Sequence, residues 1–559
     1  MSGNLSCALR NAQELTFGYT ESSAYCHLCG VSFNIARHRK PGEPRIATYN
    51  STDGVPAEIE DIELEECVNK GCTFVIEDHE GADDLVKDPD YQPGKEEDDE
   101  PYEYDSNYDS DDAMSLSEDE DAGEAIIDDE EMYNDFLSRT IHQHHSSSGE
   151  PVGAFAYLSK IKQKDFLIPI TSDELPEGYE PEELEHIPGP TCPQAQAYAG
   201  AAISLVEMRG CRSAQFLVHK SSAKGEWQPD GLNEDWEMTE DWFLSGVCDG
   251  MTSRDCGFPT VQPARGGVKD VYADNVNFDP HHISPTELGM PFHPWCFDIF
   301  SRQSKSQFGR VNVNGLMKWR DAESSYKAFH EFPRIADVLE AQEQWWEHVP
   351  GKEYLAANPL YVPGLPALLL DAAKEEGIMG YGKEPAPSSA RGAGHLGSLP
   401  LDLRLHIISF LGSDAIASLR AASTAFTHLP NSVWYRLVRE DMPWLWEAWD
   451  EGEIEHTPSF WTMMTANDVK YMEDVRKHYL EVLKDEHPGV DGIIDYLLPR
   501  PSVAADLVKL HKANTNWYQV YIQIKSNWNR LKGLRNRQRI WEDVEEVIRR
   551  IRKYEEQSF

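Results

Sequence analysis

The chain has 559 residues and a formal net charge of −46. This length predicts two to four domains, and the acidic balance argues against a general binder of nucleic acids or anionic membranes. The sequence has no basic and apolar leader with a cleavage site, and no apolar run close to the roughly 18 residues that cross a bilayer. We therefore expect an intracellular protein, in the cytoplasm or the nucleus, that is neither secreted nor transmembrane.

The ten cysteines all precede residue 297. Without a secretory signal, such cysteines are expected to be reduced or metal-bound rather than paired in disulfides. Cys26 and Cys29 form a C-x-x-C motif, whose two thiolates can occupy adjacent corners of a tetrahedral metal site. Cys67 and Cys72 follow with an unusual four-residue gap. The N-terminal part therefore predicts a metal site that needs a second pair of ligands.

An acidic segment follows, in which residues 80–131 contain 24 acidic residues and two lysines. Such a segment cannot bury enough apolar surface to offset the entropy lost on ordering, so we predict that residues 83–150 are disordered. A solubilising spacer is the simplest interpretation. A phosphorylated regulatory tail is the alternative, because Ser110, Ser115 and Ser117 stand shortly before acidic residues.

The ordered parts around this segment predict one discontinuous α+β domain, rich in cysteine and tryptophan, formed by residues 19–82 and 151–373. Residues 195–208 have the pattern of a helix. The segments 253–267 and 278–300 are rich in proline and glycine, which is typical of loops. No run alternates with period two across many strands and no βαβ unit repeats, so we predict a loop-rich α+β fold.

Within this domain, His293 and Cys296 form an H-x-x-C motif, and its local sequence FHPWCF resembles the second ligand pair of LIM-type zinc modules. Together with Cys26 and Cys29, this pair would supply four protein ligands to one Zn²⁺. Four ligands leave no open position for a catalytic water, so the predicted zinc site is structural. Two alternatives remain, namely the two cysteines of the four-residue gap as the second pair, or ordinary buried thiols without a metal.

A linker rich in proline, serine, glycine and alanine occupies residues 383–397, and a short apolar unit follows at residues 396–442. The unit opens with a predicted helix that has Ser398 at its N-cap, Pro400 in its first turn and Gly412 at its end. Apolar residues cover about two thirds of the circumference of this helix. A small hairpin cannot bury so wide a face, so part of it is expected to contact another protein.

The order of residues in this unit resembles the F-box, with a Leu-Pro pair, a helix of leucine and isoleucine, a leucine in a second helix, and then Phe426 and Trp434. Asp402 departs from the pattern, because a glutamate is commoner there. The resemblance implies an all-α module that docks on a Skp-type adaptor and, through it, on the cullin of an SCF ubiquitin ligase. The implied adaptor-binding residues are Leu399, Pro400, Leu403, Ile407, Leu411, Leu419 and Trp434. A buried helical hairpin within a larger core is the alternative.

Other segments, including EMRGCRSAQFL, DWFLSGVCDGMTSRD and PGKEYLAANPL, resemble as a set the N-terminal half of a large group of fungal F-box proteins. In that group the F-box follows a long domain rich in cysteine and tryptophan. The resemblance supports the F-box interpretation and assigns no target.

Residues 443–559 are predicted to form a helical C-terminal domain. Two short apolar series, starting at Trp517 and at Ile540, are separated by a break near Gly533, which favours an antiparallel hairpin over a dimerising coiled coil. Between them lies a basic cluster of six residues: Lys525, Arg530, Lys532, Arg535, Arg537 and Arg539. We interpret this cluster as a solvated helix face, with docking of the acidic segment or of an acidic substrate as alternatives.

The sequence carries no G-x-S-x-G elbow, H-E-x-x-H helix, phosphate loop or dinucleotide fingerprint. We therefore expect a non-catalytic receptor that brings an unidentified target protein to an SCF ligase in the ubiquitin conjugation pathway. An F-box scaffold that acts outside ubiquitination is one alternative, and a zinc-stabilised interaction module is another. Binding to chromatin or RNA is disfavoured by the overall charge.

Overall fold

The computed structural model of the chain describes residues 25–43, 47–48, 63–76, 165–179, 184–192, 197–249, 259–272, 286–323, 331–340, 349, 351–373, 395–449, 456, 458–465, 468–469 and 508–557. The segment predicted to be disordered and most of the predicted linker lie outside these residues. Helices and strands are mixed along the described chain, which confirms the α+β class. In these ranges, no helix is long and apolar enough to cross a membrane.

Eight short strands form three small sheets: β1 (Arg37–His38), β2 (Thr73–Ile76), β3 (Phe166–Pro169), β4 (Leu184–Ile187), β5 (Tyr198–Ala199), β6 (Ser213–His219), β7 (Trp242–Asp249) and β8 (Met290–Phe292). β1 and β5 pair in parallel. The other two sheets are antiparallel, with β2 between β3 and β4, and β6 between β7 and β8. The last of these sheets is the most deeply buried, and its Phe216, Phe243 and Phe292 side chains are fully enclosed.

Ten α-helices are described: α1 (Leu64–Cys67), α2 (Pro294–Phe308), α3 (Val313–Glu323), α4 (Ala336–Glu340), α5 (Leu365–Ala373), α6 (Leu401–Ser409), α7 (Ser413–Ala422), α8 (Asn431–Asp441), α9 (Trp517–Ser526) and α10 (Lys532–Gln557). The prediction of a loop over 278–300 was wrong at its end, where α2 begins. Pro294 at the first helical position and Gly309, with a φ of 70°, mark the two ends of this helix.

The helix predicted over residues 195–208 is not formed. Its described part contains β5, followed by turns. The guanidinium group of Arg37 donates to the backbone carbonyl of Ile203 at 3.2 Å from both Nε and Nη2. This contact fixes the turns after β5 against β1. A tertiary contact from β1 therefore overrides the local helical pattern.

One continuous hydrophobic core extends from Cys26 to Ile551 and includes buried residues of the predicted N-terminal domain, of the unit that resembles the F-box and of the C-terminal helices. α10 packs mainly on α2 and α3, and α9 packs on α8 and α5. The two apolar series of the C-terminal region are thus buried within the chain, although against separate partners instead of in one hairpin. A smaller second core surrounds Cys67 and Cys72.

The basic cluster of the C-terminal region is only partly a solvated face. Arg537 and Arg539 are buried, contrary to the prediction. Arg537 donates to both carboxylate oxygens of Glu447 at 2.9 Å and to the carbonyl of Pro359 at 2.6 Å. These contacts join three distant parts of the chain. The wrong prediction arose because the partners that neutralise these cations are remote in sequence.

Candidate metal centres and an exposed apolar face

The first candidate centre begins in the loop that carries the C-x-x-C motif. The backbone amide of Gly30 donates to the carbonyl of Cys26 at 2.7 Å, and the amide of Cys26 donates to the carbonyl of Val31 at 2.9 Å. Gly30 has a φ of 73°, and a Cβ there would lie 2.5 Å from Nε of Arg334. This position therefore requires glycine, which lets the chain turn tightly and directs both thiols inward.

The second ligand pair lies where β8 meets α2. His293 is the N-cap residue of α2 and Cys296 lies in its first turn. Nε2 of His293 is 2.9 Å from the carbonyl oxygen of Cys211, to which it can donate. This contact orients the ring so that Nδ1 is directed at the thiols, and such a second partner typically orients a metal-binding histidine. Burial and the neighbouring thiols of Cys26 and Cys29 raise the pKa of Cys296, so binding of a metal ion there would have to displace its proton.

The four side chains converge as the sequence predicts. Cys26, Cys29, His293 and Cys296 are all buried, and their ligand atoms lie within 4.8 Å of one another. Nδ1 of His293 is 3.5 Å from Sγ of Cys29 and 3.9 Å from Sγ of Cys296. Around one Zn²⁺ with ordinary bond lengths, sulfur and nitrogen ligands at tetrahedral corners are about 3.5 Å apart. The residues therefore fit a closed, four-ligand metal site.

The electrostatics of this centre favour a thiolate at Cys29. Burial opposes ionisation, but hydrogen bonds from Cys26 and Cys296 and the nearby His293 hold the pKa of Cys29 well below its usual value. The backbone amide of His293 also approaches Sγ of Cys26 at 3.4 Å. Thiolates are the ligands that Zn²⁺ binds in such sites.

A basic residue that the sequence analysis placed in solvent supports this centre. Nη1 of Arg539 donates to the carbonyl oxygen of Cys29 at 2.8 Å and to Asp543 at 3.1 Å. Burial raises the pKa of Asp543 to about 7, although the neighbouring Arg539 acts in the opposite direction. The C-terminal helix α10 thus contacts the ligand loop directly. Nothing in the local sequence of Arg539 indicates this contact.

Cys67 and Cys72 do not supply the second ligand pair of the first centre. The structure places them in a second buried cluster with His186 and Cys192, whose ligand atoms also lie within 4.8 Å of one another. Burial lowers the pKa of His186 to about 4, so its ring is neutral at neutral pH. Sequence reasoning missed His186 and Cys192, for which the only signal is the H-x₅-C spacing. Two Cys/His clusters of the described chain could therefore hold a metal ion.

The unit that resembles the F-box presents an apolar face on α6. Leu403, Ile407 and Phe410 are 51%, 37% and 75% exposed, and they follow one another at the i, i+4 and i+7 spacing of one helix face. Leu401 on the same helix is also exposed. Pro400, instead of Ser398, is the N-cap residue, and Gly412 caps the next helix instead of ending this one. Large apolar side chains grouped in this way on a surface commonly mark a contact site.

The seven residues implied by the F-box resemblance differ in accessibility. Pro400, Leu403 and Ile407 are exposed, while Leu399, Leu411 and Leu419 are half-buried. Trp434 is 4% exposed, and its ring packs against Tyr518 and Tyr521 of α9 at centroid distances of 4.8 and 5.6 Å. In this structure Trp434 is a core residue that joins α8 to the C-terminal region, because α9 covers it. It does not contribute to the exposed face.

No family model matches this chain, and no solved structure matches it. A curated protein described as an ATP-dependent RNA helicase mss116, mitochondrial, from Aspergillus oryzae is 48% identical over 67 residues. The match covers 12% of this chain and 11% of the helicase, so the chain spans about a tenth of the length of this relative. A shared stretch of this extent assigns no family. The structure thus defines an α+β protein with two Cys/His clusters and an exposed apolar helix face.

Proposed function

We propose that the chain is a non-catalytic F-box receptor that docks on a Skp-type adaptor and brings a target protein to an SCF ubiquitin ligase. The observation that carries this proposal is the exposed face of α6, where Leu403, Ile407 and Phe410 stand at helical spacing within the segment that resembles the F-box. A receptor of this kind acts by proximity, because holding a target near the conjugating enzyme raises its effective concentration without chemistry by the receptor.

The packing of the unit supports a rigid presentation of this face. Nη2 of Arg436 on α8 donates to the carbonyls of Ile408 and Leu411 at 2.9 and 3.3 Å. Nη1 of Arg404 donates to the carbonyl of Ala425 at 2.8 Å. Ile408 lies on the inner side of α6 and is fully buried. These contacts fix the inner side of the helix, so the outer side remains ordered before a partner binds, which reduces the entropy lost on binding.

The apolar character of the face can supply part of the free energy of a contact. Full burial of a leucine, isoleucine or phenylalanine side chain contributes about 1.5–3 kcal/mol, and each of these three side chains is already partly covered. Together they can contribute on the order of 3 kcal/mol of the free energy of binding. Their central, clustered position is typical of residues that dominate an interface.

We also propose that the first centre holds one structural Zn²⁺. Cys26 and Cys29 from the N-terminal loop and His293 and Cys296 from the start of α2 would be its ligands. All four are buried and no position is left for a substrate, so the ion would stabilise the fold and would not catalyse a reaction. The centre would hold together the domain rich in cysteine and tryptophan. We propose that this domain, alone or with the C-terminal helices, binds the target.

The adaptor interface is tested by the substitutions Leu403→Asp and Ile407→Asp in the full chain. Each places a charge in the proposed contact, so binding to a purified Skp-type adaptor should weaken by about 100-fold or more, as measured by calorimetric titration. Met238→Asp is the matched control, because Met238 is 55% exposed on a different part of the surface. It should bind as the unmodified chain does. Unchanged affinity in both α6 variants would refute the proposed interface.

A further inference from the structure

The second Cys/His cluster lies in the small module built around β2. Cys67 ends α1, Cys72 immediately precedes β2, His186 lies in β4, and Cys192 follows in the turn after it. All four side chains are buried. Sγ of Cys67 is 3.4 Å from Nε2 of His186 and 3.8 Å from Sγ of Cys192. In a tetrahedral zinc site, neighbouring ligand atoms lie about 3.5 to 3.8 Å apart, so both distances fit a shared ion.

The loop between Cys67 and Cys72 explains how an unusual spacing can serve this geometry. Asn69 and Gly71 both adopt a left-handed backbone conformation, with φ of 61° and 79°. The amide of Lys70 donates to the carbonyl of Cys67 at 3.0 Å. Two left-handed residues in so short a loop turn the chain back sharply. The loop therefore brings both thiols to the same side.

A second loop approaches from the opposite side and contacts the sulfur of Cys72. The amide of Gly189 lies 3.3 Å from this sulfur and donates to it. A Cβ on Gly189 would lie 2.0 Å from the carbonyl oxygen of Lys70, so the two loops touch backbone to backbone. An amide that donates to a ligand sulfur is a typical outer contact of a metal site.

The hydrophobic core of this module is small. Its six buried hydrophobic residues include three of the four proposed ligands, and the others are Phe74, Ile170 and Leu184. Small modules with little buried apolar surface are often stabilised by a disulfide or a metal. The Cys67 and Cys192 sulfurs are 3.8 Å apart, too far for a disulfide but at the separation of two thiolates that share one metal ion.

We propose that Cys67, Cys72, His186 and Cys192 form a second structural zinc site, independent of the first centre and of adaptor docking. Three thiolates and one imidazole are ligands that select Zn²⁺ over Mg²⁺ or Ca²⁺. Four protein ligands leave the ion no open position, so the site has a structural role.

The site lies next to the two points where the acidic part of the sequence leaves and rejoins the described structure. β2 ends at Ile76 and pairs there with Phe166 at the start of β3, so the long acidic part of the sequence leaves and returns at adjacent points. Asp165, next to the point of return, forms an ion pair of 2.9 Å with Arg39, which also binds Glu185 of β4 at 2.7 Å. The second site would therefore hold together the strands β2 and β3 that flank the acidic segment. The ion pairs of Arg39 join the sheet that contains these strands to the main body of the protein.

Metal analysis of the full-length protein tests this proposal. The unmodified chain should contain about two equivalents of zinc, and the double variant Cys67→Ser/Cys192→Ser about one. Cys29→Ser should also contain about one, from the second site. The control Cys248→Ser, a buried cysteine of neither cluster, should keep both. One equivalent in the unmodified chain that the double variant retains, or two in the double variant, would overturn the proposal.

A second measurement decides the matter if the double variant does not fold. The unmodified chain is stripped of metal and titrated with Co²⁺, whose intense visible absorption reports tetrahedral coordination by thiolates. The absorption should rise until about two equivalents are added, because both sites offer three thiolates and one imidazole. Saturation at one equivalent that is lost in Cys29→Ser would contradict a second site, because the bound Co²⁺ would then lie in the first centre. Two equivalents, one of them lost in Cys29→Ser, would confirm that the two sites are separate.

Discussion

Replacing Cys29 by Ser should lower the midpoint of thermal unfolding by about 4 °C or more and remove one equivalent of zinc. The first centre joins the N-terminal loop to the start of α2, and its four ligands are buried. Loss of a structural metal is among the few single changes that cost more than about 4 kcal/mol. The cost is expected to be large because the three remaining ligands would stay enclosed without their ion.

The control for this prediction is Cys248→Ser, which removes an equally buried thiol from β7 outside both clusters. Its unfolding midpoint should change by no more than about 1–2 °C, because a single small substitution costs on the order of 1–2 kcal/mol and the midpoint of a chain of this size shifts by about 1 °C per kcal/mol. Scanning calorimetry at one fixed rate, with metal content measured on the same samples, gives both readouts. Equal midpoints and equal zinc in the two variants would show that the first centre is not a metal site.

The substitution Arg537→Met should destabilise the chain by about 3–5 kcal/mol, measured from the urea midpoint of unfolding. Arg537 is fully buried, binds Glu447 through Nη1, and stacks on Trp446 with its guanidinium carbon 3.8 Å from the ring centroid. The large effect arises because Glu447 would be left as an unpaired charge in the core.

The double variant Arg537→Met/Glu447→Leu separates the unpaired charge from lost packing. With both charges removed, most of the stability should return, to within about 2 kcal/mol of the unmodified chain. A double variant as unstable as the single one would mean that the contacts of Arg537 with Pro359 and Trp446, and not the buried charge, determine the loss. The prediction about the ion pair would then be wrong.

The first metal centre was predictable because each half of it is a short local motif. C-x-x-C and H-x-x-C each place two ligands within one turn. The sequence alone therefore identifies two ligand pairs, each of which supplies half of a four-ligand site. The second cluster lacks such motifs. Its residues are spaced by five and six positions, and left-handed residues at Asn69 and Gly71 create the turn that makes the wider spacing work. Single-sequence patterns do not reveal turns of that kind.

The errors in helix and charge prediction have a common physical cause. Residues 195–208 have a helical pattern, yet Arg37 binds the carbonyl of Ile203 and β5 pairs with β1. The sequence pattern of Arg537 and Arg539 is typical of a solvated basic face. In the core, however, Arg537 donates to Glu447 and Arg539 donates to the carbonyl of Cys29. In both cases a partner more than 80 positions away decides the outcome. Local pattern is a weak guide wherever buried arginines organise the chain.

The apolar unit illustrates what a resemblance provides and what it does not. Its order of residues predicted two helices in an all-α unit, and α6 and α7 occupy the positions expected, with α8 following as a third. It also implied that Trp434 faces the adaptor, but α9 covers this side chain. The C-terminal helices lie outside residues 396–442, so a pattern limited to those residues carries no information about them. The exposed apolar face that remains is centred on Leu403 and Ile407.

The measurement that most directly tests the central proposal is an affinity purification of the full chain from cells that contain the ligase components. The unmodified protein should recover the Skp-type adaptor and the cullin in comparable amounts. The double variant Leu403→Asp/Ile407→Asp should lose both by about 100-fold while it remains folded, as shown by an unchanged unfolding midpoint. Equal recovery of adaptor and cullin by the two proteins, or recovery by neither, would contradict the proposal that this chain is an F-box receptor.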